Sequence, residues 1–105
     1  MLDVYTLMLQ VLGELKAPLT LIERHDKDLG NQLRRAASSV ALNIAEGSGS
    51  HGGNRLARYR TALGSAREAW SCLLVAQAAG HVAALPAVLP GLMNHVIGTL
   101  VRVAA

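Results

Sequence analysis

The stretch Gln32–Gly47 constrains this chain more than any other, because it reads as a helix with one apolar face. Leu33, Ala37, Val40 and Ile44 fall at i, i+4, i+7 and i+11, the spacing of a helical stripe. Gly47 follows the last of them, where a left-handed cap would end the helix. Four polar residues interrupt the pattern: Arg34, Arg35, Asn43 and Glu46. Glu46 stands in the last turn, where the helix dipole disfavours a carboxylate. It therefore calls for a cationic partner, and Arg35 lies 11 residues away, about 16 Å along the axis, too far to serve within the helix. Arg58, Arg60 and Arg67 are the candidates from the next helix.

The same helical periods recur along the chain. Leu2–Glu23 reads as a first helix, with Leu2, Tyr5, Leu9, Leu12, Leu19 and Ile22 on one stripe and Leu7, Val11 and Leu15 on another. Pro18 should kink it or end its first part. Asp26 or Asp28 can cap the second helix, expected over Leu29–Glu46. Asn54 can cap a third that stops at Gly80. In that helix Leu56, Tyr59, Leu63, Ala66, Trp70, Leu73 and Gln77 alternate steps of three and four, a heptad seam with Trp70 as its anchor. Gly64 in mid-helix predicts a close helix approach at Gly64–Ser65. Pro86 can occupy the first turn of a last helix that becomes regular near Leu89, with Leu89, Leu92 or Met93, Val96, Leu100 and Val103 facing inward.

Four such helices with short connections predict an all-α, antiparallel up-down-up-down four-helix bundle, one domain over residues 1–105. Apolar residues make up 51% of the chain, Phe is absent, and mean hydropathy is +0.31. More than one stripe per helix is apolar, which predicts a homo-oligomer. No apolar run reaches the ~20 residues that span a bilayer, so no membrane partner is expected. The start of the chain has no basic, leader-like segment, and the single Cys72 reads as a buried hydrophobe in a reducing cytoplasm.

No catalytic constellation is present. His25, His51, His81 and His95 lack metal-ligand spacing, and no Glu-x-x-His pair of a di-iron bundle occurs. Ser38, Ser39, Ser65 and Ser71 have no nucleophile elbow and read as small residues at tight helix contacts. The loop Gly47–Gly53 is not a phosphate-binding loop, because GxxxxGK[ST] is missing. A non-enzymatic protein without metal or cofactor is the expectation.

Charge is the informative remainder. Net charge is +3, and Arg34, Arg35, Arg55, Arg58, Arg60 and Arg67 crowd the centre. Arg34, Arg35, Asn43, Glu46, Arg67 and Glu68 form an expected polar network that fixes bundle and subunit contacts. Arg55, Arg58 and Arg60, near the Gly-rich loop, are the candidate nucleic-acid surface. The competing reading is a structural or protein-interaction scaffold, its arginines taken up in internal ion pairs.

The elements Q-hydrophobic-R-R-A-A-x-S, N-I-A-E-G and A-x-G-S-x-x-E resemble a bacterial family of four-helix-bundle proteins. Its members are encoded in intervening sequences of large-subunit ribosomal RNA genes. The accessory variability determinant of diversity-generating retroelements is a relative. The pattern is carried here by Gln32, Arg34, Arg35, Ala36, Ala37, Ser39, Asn43, Glu46, Gly47, Gly64, Ser65 and Glu68. The resemblance implies a ring-shaped homopentamer without enzymatic activity. For the retroelement relative it implies binding to RNA or DNA and to a reverse transcriptase through a basic surface. Gly49 and Ser50 stand where the family often has Arg.

Overall fold

In the computed structural model, residues 3–105 are described, and they form α1 (Asp3–Glu14), α2 (Lys16–His25), α3 (Lys27–Ser48), α4 (Gly52–Ala78) and α5 (Leu89–Val103). The expected first helix is thus two, and Leu2 lies outside the described residues. Pro18 is the cause. It has no N–H to offer the Glu14 carbonyl, and its ring crowds that same carbonyl, so α1 ends at Glu14. The ladder resumes on either side, with Leu15 N–H donating to Val11 O at 2.9 Å and Leu19 N–H to Leu15 O at 2.8 Å.

Asp26 joins α2 to α3 in a single extended residue (φ −151°). Its N–H donates to Ile22 O at 2.7 Å, and its carboxylate accepts from Leu29 N–H at 3.0 Å. Gly30 lets the two helices fold back tightly, since a Cβ there would sit 2.5 Å from Glu23 Cγ. The expected stop at Gly80 holds. Gly80 is left-handed (φ +81°), with His81 N–H on Ala76 O at 2.9 Å and Gly80 N–H on Gln77 O at 3.1 Å, a Schellman closure.

Two end signals read differently in the fold. Gly47 is no left-handed cap: it lies inside α3, and positive φ among the described glycines occurs only at Gly52 and Gly80. Its role is clearance, because a Cβ at Gly47 would meet Tyr59 Cε1 at 2.5 Å. Asn54 is not the cap of α4 either. The cap position is three residues earlier, at His51, without a side-chain cap hydrogen bond.

α3 and α4 share the most extensive contact. They run antiparallel, as the cross-contacts Glu46 to Arg58 and Ser39 to Ser65 require. α2 packs on α3, α5 on α4, and α1 on α5 and α3. The stripe Leu33, Ala37, Val40 and Ile44 is buried throughout, as is the face Leu89, Met93, Val96 and Leu100 of α5. The α4 seam is rotated from its expected place. Tyr59, Ala62, Ala66, Ala69, Leu73 and Ala76 are buried, whereas Leu56, Leu63 and Trp70 are half-buried and Gln77 is exposed. Alanines let the α3 and α4 axes come close, so the bulkier Leu63 and Trp70 move to the flanks. The close approach expected at Gly64–Ser65 is made by Ser65, whose Oγ lies 2.8 Å from Ser39 Oγ of α3, and not by Gly64, which has nothing within 4 Å of a would-be Cβ. In α1 the inward residues are Val4, Met8 and Val11, and Leu9 faces solvent. No described helix is long and apolar enough to cross a membrane.

Candidate functional site

The expected polar residues are distributed along the outer edge of the α3–α4 pair. At its loop end the Glu46 carboxylate, from the last turn of α3, meets Arg58 of α4 at 3.1 Å. This is the interhelical partner that Glu46's position demanded. Both side chains are more than half exposed (58% and 51%), so the pair is screened and contributes little to stability.

One level further, Ser39 Oγ and Ser65 Oγ lie 2.8 Å apart. Asn43 Nδ2 donates to Ser39 O at 2.9 Å and to Ser39 Oγ at 3.1 Å. These part-buried groups are satisfied among themselves and hold the two helices in register. Near the loop, the Tyr59 and Ser48 hydroxyls approach to 3.5 Å.

At the far end the edge opens into a hollow of about 360 Å³. Asp28, Asn31, Gln32 and Arg35 line it from α3 and Glu68 from α4. The four α3 residues are spaced i, i+3, i+4 and i+7, one helical face. That spacing was available in the sequence. By itself it signals no hollow, because polar helix faces of this kind are usually just solvated.

The single Arg/Asn/Glu cluster expected from the sequence does not form. No charged or polar side chain is buried among the described residues. Arg34 turns away from the seam and pairs with Glu23 of α2. Arg35 and Glu68 share the hollow, Asn43 belongs to the serine clasp, and Arg67 is on the outer face of α4. A buried charge costs several kcal/mol to desolvate, so arginines with a route to water take it.

All six central arginines are exposed. Arg55 Nε donates to Ser50 O at 2.9 Å, and Arg60 Nε to Ala104 O at 3.3 Å. Arg34–Glu23 and Arg58–Glu46 are the ion pairs among the described residues. Arg35, Arg55, Arg60 and Arg67 therefore face solvent without a carboxylate in salt-bridge reach. Arg60 and Arg67, seven residues apart, share one face of α4, while Arg58 turns toward α3.

Burial, with the Glu68 carboxylate as a smaller cause, pushes the Cys72 thiol above its ordinary value of 9.0. It is a packed hydrophobe and a poor nucleophile. The His25 and His81 rings stack with centroids 5.5 Å apart, joining the end of α2 to the segment after α4. No cluster of three or more His, Cys, Asp or Glu able to hold a metal occurs among the described residues.

Several large apolar side chains also reach solvent. Leu42 on α3 is 64% exposed, and Leu74 and Val75 stand on the outer side of α4. A model of the family described as 23S rRNA-intervening sequence protein matches residues 2–86. No curated protein and no solved structure matches the chain.

Proposed function

Because the chain belongs to the 23S rRNA-intervening sequence protein family, we propose that it is a non-enzymatic accessory protein that binds nucleic acid through exposed arginines. The observation that carries this reading is the placement of those arginines: all six lie at the surface, and four have no carboxylate partner. Arginine without an internal partner is suited to bidentate contact with phosphate. Arg55 and Arg60 are the primary contacts, with Arg67 extending the Arg60 face. Arg58 contributes less, because Glu46 neutralises it.

In this reading the protomer is an antiparallel four-helix bundle in which α1 and α2 form one bent rod. It assembles into a homo-oligomer, a pentameric ring by resemblance, and works in the cytoplasm. Leu42, Leu74 and Val75 support assembly, since solvent exposure of such residues on neighbouring helices leaves apolar surface for a second copy. A reverse transcriptase is the protein partner implied by the retroelement resemblance.

Binding to RNA and DNA oligonucleotides across a salt series tests the central claim. Affinity should fall as salt rises, and removing Arg55 and Arg60 should flatten the slope by about 0.7 per lost contact on single strands. A flat response in the wild type, or no binding at low salt, overturns it. Light scattering tests assembly: a wild-type mass of one protomer refutes the ring, and Leu42→Glu should lower the mass of an oligomer. The scaffold reading gains ground if assembly persists and no nucleic acid binds.

A further inference from the structure

The hollow at the far end of α3 and α4 has a charge arrangement that neither packing nor the arginine surface explains. Two carboxylates, Asp28 and Glu68, and one guanidinium, Arg35, line one concavity. None of the three has an ion-pair partner within reach among the described residues. Asn31 and Gln32 add amides that both donate and accept. Asp28 and Arg35 are seven residues apart on one helical face, about 10 Å along the axis, too far for a direct bond. The volume of about 360 Å³ lies at the small-ligand end of the range for binding sites.

The occupant follows from what the lining offers. A simple anion would satisfy Arg35 but face two carboxylates. A simple cation would satisfy the carboxylates and leave Arg35 without a partner. The complement is a neutral group with donors on one edge and acceptors on another. Guanine fits this description, since its N1–H and N2 amino group donate side by side to a carboxylate, and O6 and N7 accept from a guanidinium. A purine with a hydrogen bond of about 3 Å at either end bridges the span between Asp28 and Arg35. Adenine and uracil lack that paired donor edge.

We propose that this hollow is a base-recognition site for an unpaired guanine, with Asp28 on its donor edge and Arg35 on its acceptor edge; Glu68, level with Ala36 by the antiparallel register, walls the Arg35 end. As a site within RNA the proposal rests on the nucleic-acid reading above. It then adds sequence preference to a surface that otherwise contacts only phosphates.

The test uses the full chain and two probes. Calorimetric titration with guanosine, adenosine and uridine monophosphates addresses the hollow independently of the arginine surface. Guanosine monophosphate should bind about tenfold tighter than the other two, and Asp28→Asn should remove the difference. Asp28 is exposed, and circular dichroism verifies that the variant remains folded. Fluorescence anisotropy with UUGUU and UUUUU then reads the same preference in a strand. Equal binding of the three monophosphates overturns the proposal, even if both oligonucleotides bind with a steep salt dependence. Preferential binding of guanosine monophosphate with no oligonucleotide binding upholds the hollow and overturns the nucleic-acid reading instead. If a zwitterionic amino acid such as glutamine binds and guanosine monophosphate does not, the site is an amino-acid site and the guanine proposal fails.

Discussion

The α3–α4 pair and the α5 side of the molecule are built on opposite principles. On α3 and α4 many of the buried residues are small: Ala36, Ala37 and Ala41 on one helix and Ala62, Ala66 and Ala69 on the other, and Gly47 clears the Tyr59 ring. Hydroxyl and amide groups of Ser39, Ser65 and Asn43 pin the register. α5 packs instead through Leu89, Met93, Val96 and Leu100, with Val4, Met8 and Val11 buried on α1. The first kind of interface depends on close backbone approach and tolerates little added volume. The second depends on filled volume and tolerates little loss. The residues of the family pattern lie on α3 and α4, and α5 lies beyond the matched residues 2–86. Close approach needs particular small residues at particular positions. An aliphatic face can be rebuilt from many combinations of similar volume.

Reciprocal substitutions would break this contrast. Leu100→Ala should cost the most, about 2–5 kcal/mol, because it opens a cavity at a fully buried position. Chemical denaturation reads it, and a loss under 1 kcal/mol would mean that α5 is loosely held. Gly47→Ala should cost about 1–3 kcal/mol by driving a methyl into the Tyr59 ring. If it proves neutral or stabilising, the helices can part at little cost. Next in size is the serine clasp. Ser39→Ala, Ser65→Ala and the double variant form a cycle whose coupling should be about 1 kcal/mol, and zero coupling would remove the clasp as a register device. Glu46→Ala should have the smallest effect, below about 1 kcal/mol in the protomer, since its pair with Arg58 is exposed. A larger loss that depends on protein concentration would place Glu46 in a subunit contact.

Cys72 adds a pH reading of the same packing. Its thiol is held protonated in the fold, so this contribution to stability is fully present below 9.0 and is lost as pH rises through the raised folded value. Alkylation of native protein should be slow compared with unfolded chain. Rapid labelling near pH 8 would show that the α4 seam opens readily.

Much of the fold was legible in the chain. The buried stripe of α3, the Asp26 cap, the Gly80 stop and the inward face of α5 all follow from local rules. Each depends on residues within one or two helical turns. The misplacements have a common cause as well. Gly47 carries the signature of a cap but makes room for Tyr59, the first buried residue of α4, which no local pattern reveals. Trp70 and Leu63 carry the heptad signature but are displaced by Ala62 and Ala69, which look like spacers in the sequence.

The candidate site was legible only in its residue types. Arg34, Arg35, Asn43 and Glu46 were recognisable as the residues that interrupt the helical pattern, and Glu46 did find an interhelical arginine. The pairing pattern was not legible, because a long flexible side chain can reach several partners and solvent competes with all of them. Arg34 joining Glu23 across the α2–α3 turn depends on how tightly Gly30 lets that turn close.

The sequence by itself determined the break at Pro18, the Asp26 cap and the Gly80 stop, because backbone hydrogen bonds, proline and caps act over a few residues. The tertiary structure decided that Ala62, Ala69 and Ala76 of α4 are buried while Leu63 and Trp70 sit at the flanks, and which arginines stay unpaired. Both outcomes are set by the distance between helix axes, and that distance is a joint property of side chains on two helices that the order of one chain does not display.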